Sequence, residues 1–338
     1  MLCMLGWVAL CAVSLIWTLD FTSGLDYVLS AGNMAVFALV VANISWKEQD
    51  FDRLLNGYSV AAVLFAFCLL VGRHTYLFSN RYTVSLLGVD YDPNVVAGYL
   101  APAIMIVLIQ MIHKKINLWL ALGASIVMGY ASFLTGSRGG VLALGGGVCY
   151  LIGSALLKGP LSLKQKKYYF ITLIIIFGVL WVVSSHIDTH LLDRVFHIDM
   201  REGSSQDRLF LIRSLLPLIP QHPVFGLGCA GAQSFLRAGT HNMFLLVLAD
   251  TGGVGFILFM SMLGGMFFKL RKSPLFEFAA VLVSTAIVIF FLDSYHAKYM
   301  WNILIFIWIY LTHYPAWQER PASLTSADGK SVSKGYSK

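Results

Sequence analysis

The sequence predicts an all-α polytopic membrane protein with about ten transmembrane helices and one long outer loop carrying amphipathic helices. Three observations predict it. Of 338 residues, 58% are hydrophobic and only 12% are charged, whereas a soluble domain carries about 25% charged residues. Mean hydropathy is +0.74. The apolar residues also fall into runs of the ~17–25 residues that span a hydrocarbon core. Backbone groups in lipid must be satisfied within the segment, so runs of this length are helices.

Ten such runs follow one another: 1–18, 25–45, 57–74, 94–112, 117–135, 139–157, 168–186, 241–268, 276–293 and 297–314. The first has no basic leader and no convincing cleavage site, and is read as a retained helix. The 135–139 junction is very short and makes a tight helical hairpin. The eighth run is long and interrupted by glycine, which predicts a tilted or broken helix. Residues 1–317 are expected to form one transmembrane domain, with 187–240 as its outer loop. The tail 318–338 is polar, rich in Ser, Gly and Lys, and is expected to be disordered and cytoplasmic. Of the five cysteines only Cys229 lies in a polar loop, and no CxxC or Cys/His cluster occurs. Neither a disulfide framework nor a zinc site is expected.

Basic residues orient the chain. Loops on one side hold 15 of the 24 Lys and Arg residues and those on the other hold 9. The first side is expected to be cytoplasmic, with both termini there. The kind of residue says more than the count. The inner set has 12 Lys and 3 Arg, the outer set 8 Arg and 1 Lys. Lysine suffices to anchor a loop on anionic lipid. Arginine holds phosphate or carboxylate by a planar two-pronged contact. Eight outer arginines therefore suggest an anionic ligand. Pairing with outer acids such as Asp90, Asp92 and Asp207 is the competing explanation. The net charge of +7 reflects anchoring, and no nucleic-acid partner is expected.

Several outer groups carry candidate chemistry. Thr135-Gly136-Ser137-Arg138-Gly139-Gly140 joins the fifth and sixth runs. Its glycines allow close backbone approach to a phosphate held by Arg138, or it is a snorkelling arginine in a small-residue hairpin. His241-Asn242 opens the eighth run. A helix start attracts anions, and a histidine there is a candidate general base. The bland alternative is an interfacial histidine with Asn242 as helix cap. Gly252, Gly253 and Gly255 serve packing or a break. Arg208 and Arg213 lie on an amphipathic stretch of the outer loop. His186, His190 and His197 share a helical face that arises readily by chance, and no metal is expected. Arg81 precedes Asp92-Pro93-Asn94, where Asn94 is read as the cap of the fourth helix. Carboxylates are nearly absent from the spans, and Asp250 is taken as the exception. It is either functional or paired with Asn242 or with a broken backbone.

Together these pieces resemble the O-antigen ligase and polymerase superfamily of bacterial envelope glycan assembly, from about Arg81 to Trp301. Leu134 to Gly140 looks like the family's short Ser-Arg-Gly turn, and Pro93-Asn94 also resembles a family turn. Asp207-Arg208-Leu209 with Pro223-Val224-Phe225-Gly226-Leu227-Gly228 looks like its outer loop. His241-Asn242, nine residues, Gly252, two residues and Gly255 match the ligase signature. Family members often have about twelve spans against ten here. The resemblance implies an inverting glycosyltransferase in the bacterial inner membrane with its active face periplasmic. The donor would be a glycan on an undecaprenyl diphosphate carrier, and the acceptor a glycan or lipid A core. Membrane lipids are the remaining partners, and no cofactor is implied. His241 would take the acceptor proton, while Arg138 and Arg208 would hold the diphosphate. Arg81, Asn94, Ser137, Arg213 and Asn242 would contact substrate. Polymerase and ligase share this donor chemistry. A non-enzymatic transporter of an anionic glycan or lipid, and a structural envelope subunit, are the readings from other classes.

Overall fold

The structure is a computed structural model that describes residues 1–75, 81–157, 167–172, 174, 178, 203–293 and 298–318. Eleven helices are delimited: α1 Leu2–Val13, α2 Phe21–Asn43, α3 Glu48–Gly72, α4 Pro93–Ile112, α5 Leu118–Leu134, α6 Arg138–Leu157, α7 Gly203–Leu215, α8 Gly231–Leu236, α9 Met243–Lys272, α10 Ala279–Phe291 and α11 Lys298–Gln318. Two antiparallel two-stranded ribbons, β1 (His74–Thr75) with β2 (Tyr82–Thr83) and β3 (Ser85–Leu86) with β4 (Val89–Asp90), join α3 to α4. Five helices among the described residues are long and apolar enough to cross a membrane: α2, α3, α4, α6 and α9. Three shorter apolar helices follow the predicted runs at Leu2–Ile16, Leu118–Leu134 and Phe276–Phe291. Most of the 168–186 run, the three histidines of 186–197, Arg194, Arg201 and the tail from 319 lie outside the described residues.

The helices begin where polar side chains satisfy their free N–H groups. Asp20 accepts from the Ser23 amide for α2, Asn117 from Trp119 for α5, and Asn242 from Leu245 for α9. The cap of α4 is Asp92, which accepts from the Asn94 amide at 2.7 Å, and not Asn94 as the sequence suggested. In Asp-Pro-Asn the proline occupies the first helical position, where its fixed φ is already suitable. That leaves the aspartate one step earlier as cap and frees the Asn94 side chain.

α4 is the buried centre, wrapped by α3, α5, α6 and α10. Glycines on α6 let it press close. A Cβ at Gly140 would sit 2.6 Å from the Cβ of Ala97, and one at Gly147 would sit 2.7 Å from the Met105 sulfur, both on α4. On the adjoining stripe, Gly139 and Gly146 face Phe291 and Ile287 of α10. Each pair is seven residues apart, so it returns to one face after two turns. Backbones meet closely there through small residues, as in helix packing within lipid.

α9 is broken, as its glycines suggested. Gly252 has φ 63° and ψ −165°, a conformation only glycine adopts readily. The break frees carbonyls before it and amides after it. The segment 223–228 fills them. Leu227 and Gly228 donate to the carbonyls of Ala249 and Asp250 at 2.8 and 2.9 Å, and Gly253 and Val254 donate to those of Pro223 and Val224 at 2.8 and 3.2 Å. Gly226 and Gly228 have positive φ, and the backbones of Asp250 and Thr18 leave no room for a Cβ at either.

The two ends of the bundle differ. At one end Lys115 Nζ bonds Glu48 and Asp52 at 2.8 and 2.7 Å, and His113 Nε2 lies 3.4 Å from the buried Glu277. Trp317 Nε1 donates to the Trp46 carbonyl. The other end carries the ribbons, the 135–138 turn, α7, α8 and residues 239–242, and is called the site end below.

Gly140→Val is expected to destabilise the protein by about 2–3 kcal/mol through overpacking. Gly145→Ala, on an open face of the same helix, should be neutral or slightly stabilising. Thermal unfolding in detergent compares the two, and equal midpoints would contradict the packing described.

Candidate active site

The first half of the site forms around Asn94. Its amide oxygen accepts from Arg81 Nη2 at 2.8 Å and from the Ser137 hydroxyl at 2.9 Å. Arg81, only 7% exposed, also donates from Nε to the Thr135 carbonyl at 2.8 Å. Ser137 Oγ in turn accepts from the Gly140 amide at 3.2 Å, which makes Ser137 the cap of α6. Thr135 Oγ1 accepts from the Ser137 amide. One network thus ties the start of α4 to the α5–α6 turn and fixes Arg138 at the first position of α6. Arg81, Asn94 and Ser137 spend these groups on the protein itself, so they build the turn that presents Arg138. Arg138 is half-buried at the helix start, where free N–H groups and the helix dipole favour an anion. Nearby, the Ser85 hydroxyl, with His74 3.3 Å away, holds the exposed Asp90 carboxyl below the usual carboxylate range.

The second half forms at the site end of α10. Phe291 packs against Gly139, the neighbour of Arg138, and the Arg208 guanidinium lies 5.9 Å from the centre of the Phe291 ring. A cation over an aromatic face is attracted by the ring quadrupole. Two residues on, Asp293 Oδ2 accepts from the His241 amide at 2.8 Å and from the Thr240 hydroxyl at 2.5 Å. His241 has φ 50°, the left-handed region that histidine visits more often than most residues but that still costs about 1 kcal/mol or more. The charge-assisted bond to Asp293 offsets that cost. The imidazole itself is exposed and has no hydrogen-bond partner among the described residues. The helix start that carries Arg138, the Arg208 guanidinium and the His241 backbone therefore all meet residues 291–293.

A relay of polar contacts connects this point to the broken helix. The Asp250 carboxylate accepts from the amides of Ala230 and Ala232 at 2.9 and 2.7 Å and so starts α8. These amides belong to the start of α8, and not to Asn242 or to the backbone of its own broken helix, the two pairings foreseen for Asp250. From α8, Gln233 Nε2 reaches Asp293 at 3.5 Å, while its amide oxygen accepts from Tyr27. Asn242 is the cap of α9, and its side-chain oxygen is occupied by the Leu245 amide. Arg213 is exposed in the last turn of α7, with no hydrogen bond among the described residues.

Sequence reasoning missed Phe291, Asp293, Gln233 and Thr240. Asp250 is not the sole carboxylate of the apolar runs, because Asp26, Glu277 and Asp293 also fall within them. Asp293 closes the 276–293 run and was open to the same argument that singled out Asp250.

Residues 123–260 match the family described as O-antigen ligase. The match covers less than half of the chain, and over that stretch the chain is similar to the O-antigen ligase family. It contains the 135–140 turn, Arg208 and the His241 to Gly255 signature, while Arg81, Asn94 and Asp293 lie outside it. No curated protein matches the chain. Among solved structures the chain is similar to one described as "Structural coordination of polymerization and crosslinking by a peptidoglycan synthase complex". The two are 15% identical, the match covers 94% of this chain and 97% of that one, and the TM-score is 0.53. The ligase-family stretch thus sits in a fold shared across both chains' length.

Asp250→Ala is expected to cost about 3 kcal/mol or more, because it removes the acceptor of two buried amides. His241→Ala should change stability by no more than about 1 kcal/mol, since the ring is exposed. Thermal unfolding of the two variants checks the contrast, and a severe loss in His241→Ala would make the imidazole structural.

Proposed function

We propose that the protein is an inverting membrane glycosyltransferase of the O-antigen ligase type. It moves a glycan from an undecaprenyl diphosphate carrier to an acceptor hydroxyl in surface polysaccharide assembly. The observation that carries this reading is that the helix start bearing Arg138, the Arg208 guanidinium and the His241 backbone all meet residues 291–293. Two arginines suit the two adjacent anionic groups of a lipid diphosphate. As the bond from the anomeric carbon to the diphosphate oxygen breaks, negative charge grows on the leaving group, and fixed guanidinium groups stabilise it there. His241 accepts the proton of the attacking hydroxyl, whose oxygen forms the new glycosidic bond. Asp293 holds the His241 backbone, and the network of Arg81, Asn94 and Ser137 holds Arg138.

The site end is proposed to face the periplasm from the bacterial inner membrane, with both termini in the cytoplasm and the tail 318–338 there. The preference for lysine at the other end supports this orientation. A polymerase of the same superfamily is the second reading, favoured by the likeness to a chain of a peptidoglycan synthase complex. It differs only in the acceptor, a second carrier-linked glycan in place of a lipid A core. A transporter of an anionic glycan would move substrate across sealed vesicles and form no new bond.

Purified protein with a carrier-linked donor and candidate acceptors is expected to yield a product of inverted anomeric configuration. His241→Ala, Arg138→Ala and Arg208→Ala should each lower transfer by about 100-fold or more while the protein stays inserted. Full activity in any one of them removes that residue's role. A ladder of lengthened carrier-linked chains in place of a single transfer product would decide for the polymerase.

A further inference from the structure

Two cysteines far apart in sequence meet at the point where the broken helix is completed. Cys11 lies near the site end of α1 and Cys229 directly follows the 223–228 segment, and each is only 1% exposed. One hydroxyl joins their backbones. Ser14 Oγ donates to the Cys11 carbonyl at 2.8 Å and accepts from the Cys229 amide at 2.9 Å. Thr18 Oγ1 donates to the Cys229 carbonyl at 2.6 Å, and that carbonyl lies 2.8 Å from where a Cβ of Gly24 would stand. The shared Ser14 hydroxyl thus sets Cys11 and Cys229 side by side. Nothing in the transfer chemistry uses either sulfur.

We propose that Cys11 and Cys229 close to a disulfide that staples the end of α1 to the segment completing α9. The proposal rests on the orientation given above in one respect: the site end must meet an oxidising compartment, where disulfides persist. The oxidant is a dithiol–disulfide carrier of that compartment. The Cys229 thiolate attacks one carrier sulfur, breaking the carrier's S–S bond and releasing its first thiol. The Cys11 thiolate then attacks the Cys229 sulfur of the mixed disulfide and releases the second. One S–S bond forms and one is consumed. The two protons and two electrons of the pair end on the carrier. Because both thiols are buried in the finished fold, exchange precedes docking of residues 223–232. Once closed, the bond fixes the segment that starts α8, and through Gln233 it supports the carboxylate holding His241.

The test reads thiol state and stability, so its outcome is independent of glycosyl transfer. Protein is purified in detergent without reductant from cells that insert it natively. It is then denatured in N-ethylmaleimide, digested and analysed by mass spectrometry. The expected result is a linked pair of peptides containing Cys11 and Cys229, with Cys3, Cys68 and Cys149 alkylated. After reduction all five should be alkylated. Alkylation of both Cys11 and Cys229 without reductant would overturn the proposal. Reductant should also lower the thermal midpoint of the native protein by on the order of 5 °C and leave the C11S/C229S double variant unchanged. An equal shift in both would count against the bond, and the peptide result stands on its own if the double variant fails to fold.

Discussion

A helix broken inside a membrane has to find partners for the backbone groups it releases, and the rest of this site depends on how α9 finds them. Each unsatisfied amide or carbonyl in hydrocarbon costs several kcal/mol. Here the chain supplies its own turn segment, 223–228, which pairs on both sides of Gly252. That pairing brings residues 229–232 against Asp250, whose carboxylate starts α8. α8 carries Gln233 to Asp293, and Asp293 holds the turn at Thr240 and His241. The polar residues lead from a backbone necessity to a chemical one without a gap.

Charge is distributed to match. The arginines at the site end fall into two kinds. Arg81 is buried and bonded to a carbonyl and an amide oxygen, so its charge organises the protein. Arg138 and Arg208 are half-buried; Phe291 packs against Gly139 beside the first and lies 5.9 Å from the guanidinium of the second. The ring attracts the Arg208 guanidinium and packs at the helix start that carries Arg138, which puts the two residues in one neighbourhood.

Much of this was legible in the sequence, and its failures have physical causes. Apolar run length located the helices because lipid thickness sets it. The glycines at 252–255 left packing or a break open, and Pro223 to Gly228 resembled the family's outer loop. Their mutual pairing was not legible, since it joins residues more than twenty positions apart through backbone atoms that have no sequence signature. Arg81 was read as a ligand contact because charge alone does not tell whether a guanidinium is spent inside the protein. Asp-Pro-Asn offers two good capping residues, and only the helix start shows which one caps. Asp293 was overlooked because it ends its apolar run, where an acid resembles loop rather than site. Arg208 was singled out from its own amphipathic stretch, but the aromatic ring beneath it comes from a helix about eighty residues later.

The glycine stripes of α6 carry a mechanical consequence. Along its length α6 is locked to α4 on one side and α10 on the other, and at the far end His113 after α4 is paired with Glu277 before α10. Close packing of this kind resists relative movement of the three helices. If the protein takes a bulky lipid-borne sugar as proposed, the opening for it would come from the parts resting on these helices, α7 and the 237–242 turn, where two residues already hold left-handed backbone. Arg138 would stay still during turnover, while Arg208 and His241 would travel to meet it.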